Sequence, residues 1–141
     1  MALKPDPVKS ELLAWHDRFA ACVRDRDFAG GSALVAPGCV GFGTFVEFAA
    51  GRDRLIRDQW TPVWSTTHGF HFLPEPFECI VSPDGALACV ATCWESSGHR
   101  LDGGEFLRRG RCTTLLERGG GNPTGWVAVH THYSKSPAAE I

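Results

Sequence analysis

Apolar residues along the chain recur with two different periods, and the change from one to the other divides it. Near the start, Val8, Leu12, Trp15, Phe19 and Cys22 repeat at steps of four and three, which aligns them on one stripe of a helix running to about residue 26. Pro7 suits the first turn of that helix, where a missing N–H costs nothing. His16 falls at the edge of the stripe. A short second helix is predicted over 27–36, stopped by Pro37-Gly38. Residues 39–48 read CVGFGTFVEF, a predicted strand loosened by Gly41 and Gly43. Helical spacing returns with Leu55, Ile56, Trp60 and Val63, predicting a third helix over 52–64.

From residue 68 onward the pattern is strand-like. Pro74 and Pro76 interrupt the run 68–82, as expected of an edge or bulged strand. Ser82-Pro83-Asp84-Gly85 has turn chemistry, and 86–95 is apolar on both faces, which predicts a central strand covered twice. Residues 97–104 turn the chain into a hairpin, in which EFLRRGRCTTLLER and WVAVHTHYSKSP flank GGGNPTG. Strict alternation puts Trp126, Ala128, His130, His132 and Ser134 on one face of the last strand and Val127, Val129, Thr131 and Tyr133 on the other. On the strand before it, Leu107, Arg109, Arg111, Thr113 and Leu115 share a face. Helices first and an antiparallel meander after predict an α+β fold, a curved antiparallel sheet wrapped around the N-terminal helices as a cone. The space between sheet and helices is the expected pocket.

Composition narrows the partners. The 141 residues fit one domain spanning 1–141, and 43% hydrophobic residues with five tryptophans support a packed core. A net charge of −2 offers no basic footprint, so neither nucleic acid nor an anionic membrane is an expected partner. No apolar run approaches the ~20 residues of a membrane span, and MALKPDPVKSE lacks an apolar signal region. The cysteines at 22, 39, 79, 89, 93 and 112 lie in apolar runs without CxxC spacing. Cys89 and Cys93 on one strand would stand about 13 Å apart, beyond disulfide reach. Reduced, buried thiols in a cytoplasmic protein are the expectation.

Two histidines and two arginines at alternate strand positions suggest a polar-lined cavity. His130 and His132 would stand about 6.7 Å apart on one face. Such a pair can chelate a metal, but it needs a third ligand, and the nearby arginines repel a cation, so no metal and no cofactor is expected. One imidazole acting as general acid or base is the catalytic alternative; hydrogen bonding that merely shapes the cavity is the simpler one. Arg109 and Arg111 are either an exposed strand face or an anion clamp. Trp60, Trp64 and Trp94 can supply flat apolar walls, with Trp15 and Phe19 packing as core. Glu47, Glu95 and Glu105 are candidate carboxylates for orienting a histidine, and spacing selects none of them.

GRDRLIRDQW, the PDGALACVATCWE strand, RGRCTTLLER and GWVAVHTHYSKSP together resemble the SnoaL-like branch of the nuclear transport factor 2-like (cystatin-like) superfamily. The ending GWVAVHTHYSKSP is also similar to the association domain of calcium/calmodulin-dependent protein kinase II. The resemblance implies a conical α+β barrel, a homodimer formed through the sheet, and a pocket for a small organic ligand. It does not fix one chemistry, because members include isomerases, cyclases, dehydratases, binding domains and assembly domains. Ketosteroid isomerases of the superfamily use an acidic base near the first strand and a hydrogen-bonding tyrosine. This chain has no carboxylate between Asp27 and Glu47, and its only tyrosine, Tyr133, lies on the strand face opposite His130 and His132, which argues against steroid-type isomerisation. Association domains bind carboxylates through pocket arginines on the corresponding strand. That resemblance favours the clamp reading, with a carboxylate as ligand, and Arg111, deeper from the hairpin entrance, is the expected clamp in preference to Arg109.

Overall fold

The structure is a computed structural model that describes residues 6–99 and 101–137. Helix α1 spans Pro7–Asp25; the Asp6 carboxylate accepts the Val8 N–H at its start, and Arg26 closes it in the left-handed region at φ 53°. Helix α2, Phe28–Ala33, is capped by Asp27. It is shorter than predicted because strand β1, Val35–Phe42, begins directly after Leu34. The Leu34 carbonyl accepts both the Trp15 indole N–H at 3.1 Å and the Ala128 N–H at 3.0 Å, which ties the turn to the core helix and to the sheet. Pro37 therefore lies inside β1, where the pairing skips from Val35 to Val40 and no ladder donor is required of it.

β1 ends at Phe42, short of the predicted strand end at residue 48, and the chain crosses a loop to the two-residue strand β2, Ala49–Ala50. The third helix, α3, occupies residues 52–64 in three contiguous pieces: α-helical Arg52–Leu55, a π turn at Ile56–Trp60, and α-helical Thr61–Trp64. Thr61 reaches the Ile56 carbonyl with both its N–H and, at 2.7 Å, its hydroxyl. Pro62, which follows, has no N–H to continue the regular ladder. Strands β3 (Thr67–Val81), β4 (Leu87–His99), β5 (Glu105–Arg118) and β6 (Trp126–Lys135) complete the chain.

The sheet order is β2-β1-β6-β5-β4-β3. Neighbours run antiparallel except β1 and β6, which are parallel. This is the α+β arrangement that the element order implies: a curved, unclosed sheet with its helices on the concave side. β3 is an edge strand whose register shifts between Phe72 and Phe77, around the two prolines that predicted it. β4 runs on to His99, past the predicted end at residue 95.

One irregularity redirects the last strand. Leu115 pairs with His130 and Leu116 with Ala128, so Val129 stands opposite nothing on β5. A one-residue bulge flips every later side chain to the other face. Trp126 and Ala128 are buried, and beyond the bulge Thr131 and Tyr133 point inward with them. His130 and His132 point outward.

His16 sits in the middle of the core instead of at its edge, at 1% exposure. Its Nδ1 lies 2.7 Å from the Leu12 carbonyl and its Nε2 3.1 Å from the Thr114 hydroxyl. The carbonyl can only accept, so Nδ1–H donates; in the neutral ring that burial favours, Nε2 then accepts the Thr114 proton. Phe72 and Phe77 close over it edge-on at 4.9 and 5.1 Å. Burial pulls its pKa from 6.5 down to about 4. The unfolded chain then takes up the proton first, so stability is complete above pH 6.5 and drains away as pH falls towards 4. The loss from this residue amounts to roughly 3 kcal/mol. Urea denaturation at pH 7 and pH 4.5 should show most of it, and His16→Gln should flatten the difference; an unchanged pH dependence in the variant would assign the loss elsewhere.

Candidate functional site

A cavity opens between α1, α3 and the wide end of the sheet. Its walls are aromatic because α3 presents Trp60 and Trp64 one turn apart, stacked at 4.6 Å and 13°. Phe28 stacks on Trp64 at 5.1 Å, and Phe19 of α1 meets both indoles edge-on at 5.6 and 5.7 Å. Trp94 of β4 forms the opposite wall with Phe70. Trp94 lies flat across its cross-strand partner Gly110, where any Cβ would collide with the indole and with the Ser134 carbonyl. Its Nε1–H donates to the Arg111 carbonyl at 3.3 Å. The cavity has a volume of about 50 Å³. That space is enough for a few waters or a small flat group.

The polar groups are few. Arg108 is the one charged residue of the lining, and among the described residues no carboxylate pairs with it. Its side chain packs along Gly98, where a Cβ would stand 3.3 Å from the Arg108 Cδ, and its Nη1–H donates to the Thr67 hydroxyl at 3.3 Å. The Thr67 hydroxyl in turn donates to the Val63 carbonyl at 2.7 Å. Burial lowers the Arg108 pKa from its ordinary value, though a guanidinium keeps its proton. Directly across the strand pair from Arg108 is Ser96, 3% exposed, whose hydroxyl has no hydrogen-bond partner among the described residues. Deeper in, the Tyr133 ring stands between Phe19 and Phe70, with its hydroxyl near the Cys112 thiol. Burial raises the Tyr133 pKa, with the Cys112 neighbour adding to it, and burial pushes the Cys39 and Cys112 thiols up to about 12. These groups stay neutral and protonated at physiological pH.

The mouth is shaped by the loop over residues 43–48, which the π turn holds. Gln59, projecting from that turn, accepts the N–H groups of Phe45 and Val46 at 2.9 and 2.8 Å and donates to the Thr44 hydroxyl at 3.0 Å. Those bonds replace the strand ladder predicted there. Phe42, Phe45 and Phe48 stand exposed on the rim.

Of the side chains singled out in the sequence, Trp60, Trp64 and Trp94 line the cavity. Arg109, Arg111, His130 and His132 lie on the outer face of the sheet and not in the cavity. Arg109 is exposed, 3.8 Å from Glu95, and the exposed Arg111 donates through Nε to the Ser134 hydroxyl at 3.2 Å. His130 donates through Nδ1 to the Val40 carbonyl at 2.9 Å, with Phe42 across its edge at 5.8 Å; His132 rests on the same ring at 5.0 Å. None of Glu47, Glu95 or Glu105 orients either imidazole; Glu105 is 3.9 Å from His99. The guanidinium inside the cone is Arg108, on the strand face opposite Arg109 and Arg111 and not among the residues singled out in the sequence. A usable signal was present: Cys112, a thiol expected to be buried, marks the inner parity of β5, and counting back by twos through Gly110 reaches Arg108. For β6 no such count works, because the Val129 bulge changes its parity partway along.

Among the described residues no group of three or more His, Cys, Asp or Glu side chains is placed to hold a metal ion, and no helix is long and apolar enough to cross a membrane.

Helices on the concave side of a curved sheet, with an aromatic cavity under the wide end, define the conical α+β class. The model of the SnoaL-like domain matches residues 12–139, and the chain belongs to that family. No curated protein sequence matches it. Solved structures show the same fold at low identity. A nuclear transport factor 2-like superfamily protein from Salmonella enterica serovar Typhimurium LT2 is 22% identical with a TM-score of 0.76, covering 95% of this chain and 94% of that one. A Xanthomonas campestris protein provisionally described as a calcium/calmodulin dependent protein kinase II association domain is 19% identical with a TM-score of 0.78, covering 100% and 95%. A ketosteroid isomerase-like protein from Erwinia carotovora atroseptica is 19% identical with a TM-score of 0.69, covering 92% and 95%.

The contact between Trp94 and Gly110 gives a direct test of how the wall is built. Gly110→Ala forces apart the indole and the β6 backbone, so it should cost about 1–3 kcal/mol in urea denaturation. The intrinsic fluorescence should change with it as Trp94 moves. A stable variant with unchanged emission would show that the wall has slack.

Proposed function

We propose that the cavity binds a small organic anion with a flat apolar body, and that Arg108 is its anchor. The observation that carries this reading is a half-buried guanidinium at an aromatic wall, bonded to one neutral hydroxyl and, among the described residues, to no carboxylate. A partly desolvated cation without a counter-charge is unfavourable. A carboxylate matches the planar fork of Arg and would leave the rest of the ligand against the indoles of Trp60, Trp64 and Trp94.

The same lining supports binding ahead of acid–base catalysis. Among the described residues it contains no carboxylate and no imidazole, so an isomerase, cyclase or dehydratase reaction would lack its usual proton acceptor there. The fold itself does not choose, since its neighbours include both an isomerase-like protein and a provisional association domain. A second copy of the chain is the partner proposed for the outer sheet face, where Ala91, Leu107 and Thr113 stand exposed. Light scattering at tens of micromolar should give a dimer mass; a monomer would remove that partner.

The ligand reading is tested by thermal shift with aromatic acids against their matched amides, for the wild type, Arg108→Gln and Arg111→Ala. Acids should stabilise the wild type more than amides do. Arg108→Gln should lose about 2 kcal/mol or more of acid binding, and Arg111→Ala should respond like the wild type. Equal stabilisation by amides, or loss of response in Arg111→Ala alone, would sink the proposal.

A further inference from the structure

We infer that Ser96 and Arg108 form one subsite for the head of a monocarboxylate, with Ser96 supplying the hydrogen bond that completes it. This rests on the reading that Arg108 anchors the ligand, and it adds a second residue and a narrower ligand class. The two residues are register partners on the inner face of β4 and β5, which brings their Cβ atoms to about 4.5–5.5 Å. Arg108 lines the cavity at that level, and so does Ser96.

Of the lining hydroxyls, those of Ser96 and Tyr133 are buried without a hydrogen-bond partner among the described residues, and Ser96 is the one opposite Arg108. It is 3% exposed and has neither donor nor acceptor partner among the described residues, a state that native structures seldom leave uncompensated. Three donors of the same lining are already committed. The Thr67 proton goes to the Val63 carbonyl, the Trp94 N–H to the Arg111 carbonyl, and a Gln59 amide N–H to Thr44. Ser96 therefore holds a free O–H beside the free face of a guanidinium. A carboxylate has two oxygens to offer, one for each.

Charge narrows the class further. Among the described residues the lining carries one cation and, for the rest, apolar side chains, neutral hydroxyls and the Gln59 amide. A monoanion is neutralised there, whereas a phosphate monoester brings a second charge that no group in the wall compensates. The expected occupant is a small planar monocarboxylate, not an ester, amide or phosphate of the same body.

Calorimetric titration with benzoate, phenyl phosphate and indole, the last a neutral aromatic probe, tests this in the wild type, Ser96→Ala, Ser96→Cys and Arg108→Gln. Benzoate should bind the wild type more tightly than phenyl phosphate does. Ser96→Ala should weaken benzoate about tenfold while leaving indole unchanged, and Ser96→Cys, which keeps the size but donates weakly, should behave like Ser96→Ala. Because the replaced hydroxyl is unpartnered, the melting temperature of Ser96→Ala without ligand should not fall. If Ser96→Ala and Ser96→Cys keep the wild-type affinity for benzoate while Arg108→Gln loses it, the Ser96 subsite is wrong and the Arg108 anchor stands. A parallel loss of indole and benzoate would make Ser96 a packing residue and overturn the inference. Phenyl phosphate binding as well as benzoate would overturn the monoanion class, and no benzoate binding to the wild type would remove the anchor and the subsite together.

Discussion

Between Leu115 and Leu116 the last strand carries Val129 as one residue more than its neighbour can pair, and the cavity depends on that surplus. On the other flank of β6, β1 skips its pairing at the same place, from Val35 opposite Ala128 to Val40 opposite His130. Both neighbours thus adjust around a single residue, which bends the sheet where the cone widens. On the narrow side of Val129, Trp126 and Ala128 fill the core; on the wide side, Thr131 and Tyr133 take over the inner face. An uninterrupted strand would aim two imidazoles at Phe19 and Phe70 and send the tyrosine to solvent.

The wall facing α3 is set by alternate residues of β4 and β5. Trp94 needs Gly110 beneath it, and at Gly98 a Cβ would collide with the Phe106 ring and press on the Arg108 side chain at 3.3 Å. The apolar plate and the charge thus come from the same short piece of sheet. Ser96 falls between Trp94 and Gly98 on that inner face, so a group touching the plate is already within reach of the polar pair.

Much of the architecture was legible because it rests on repeated burial. The stripe from Val8 to Cys22, the spacing of Leu55, Trp60 and Val63, and the prolines of β3 each carry their own periodicity or backbone constraint, and each appears where it was read. The cavity tryptophans were readable for the same reason. The polar residues were not, because which face a strand residue takes is a question of parity, and parity is lost at any bulge. Arg108, Arg109 and Arg111 are chemically alike; only the burial of Cys112, Thr114 and Leu116 decides which of them looks inward. His16 was misplaced for a different reason. A histidine can be core only when both ring nitrogens find partners, and one of those partners, Thr114, is supplied from the far end of the chain. The loop over 43–48 likewise reads as strand until Gln59, from another element, takes up its backbone N–H groups.

That grip by Gln59 bears on how such a protein changes over generations. Its amide holds main-chain N–H groups of Phe45 and Val46, so the path of the rim is indifferent to most of what the rim displays. Gly43 is constrained, because a Cβ there would overlap the glutamine, but Phe45, Glu47 and Phe48 project outward and are exposed. The rim is in effect a fixed frame with replaceable panels. Inheritance can trade one exposed residue for another at the mouth while the Arg108 end and the tryptophan walls stay as they are, which lets a single scaffold diversify what it admits without relearning how to fold.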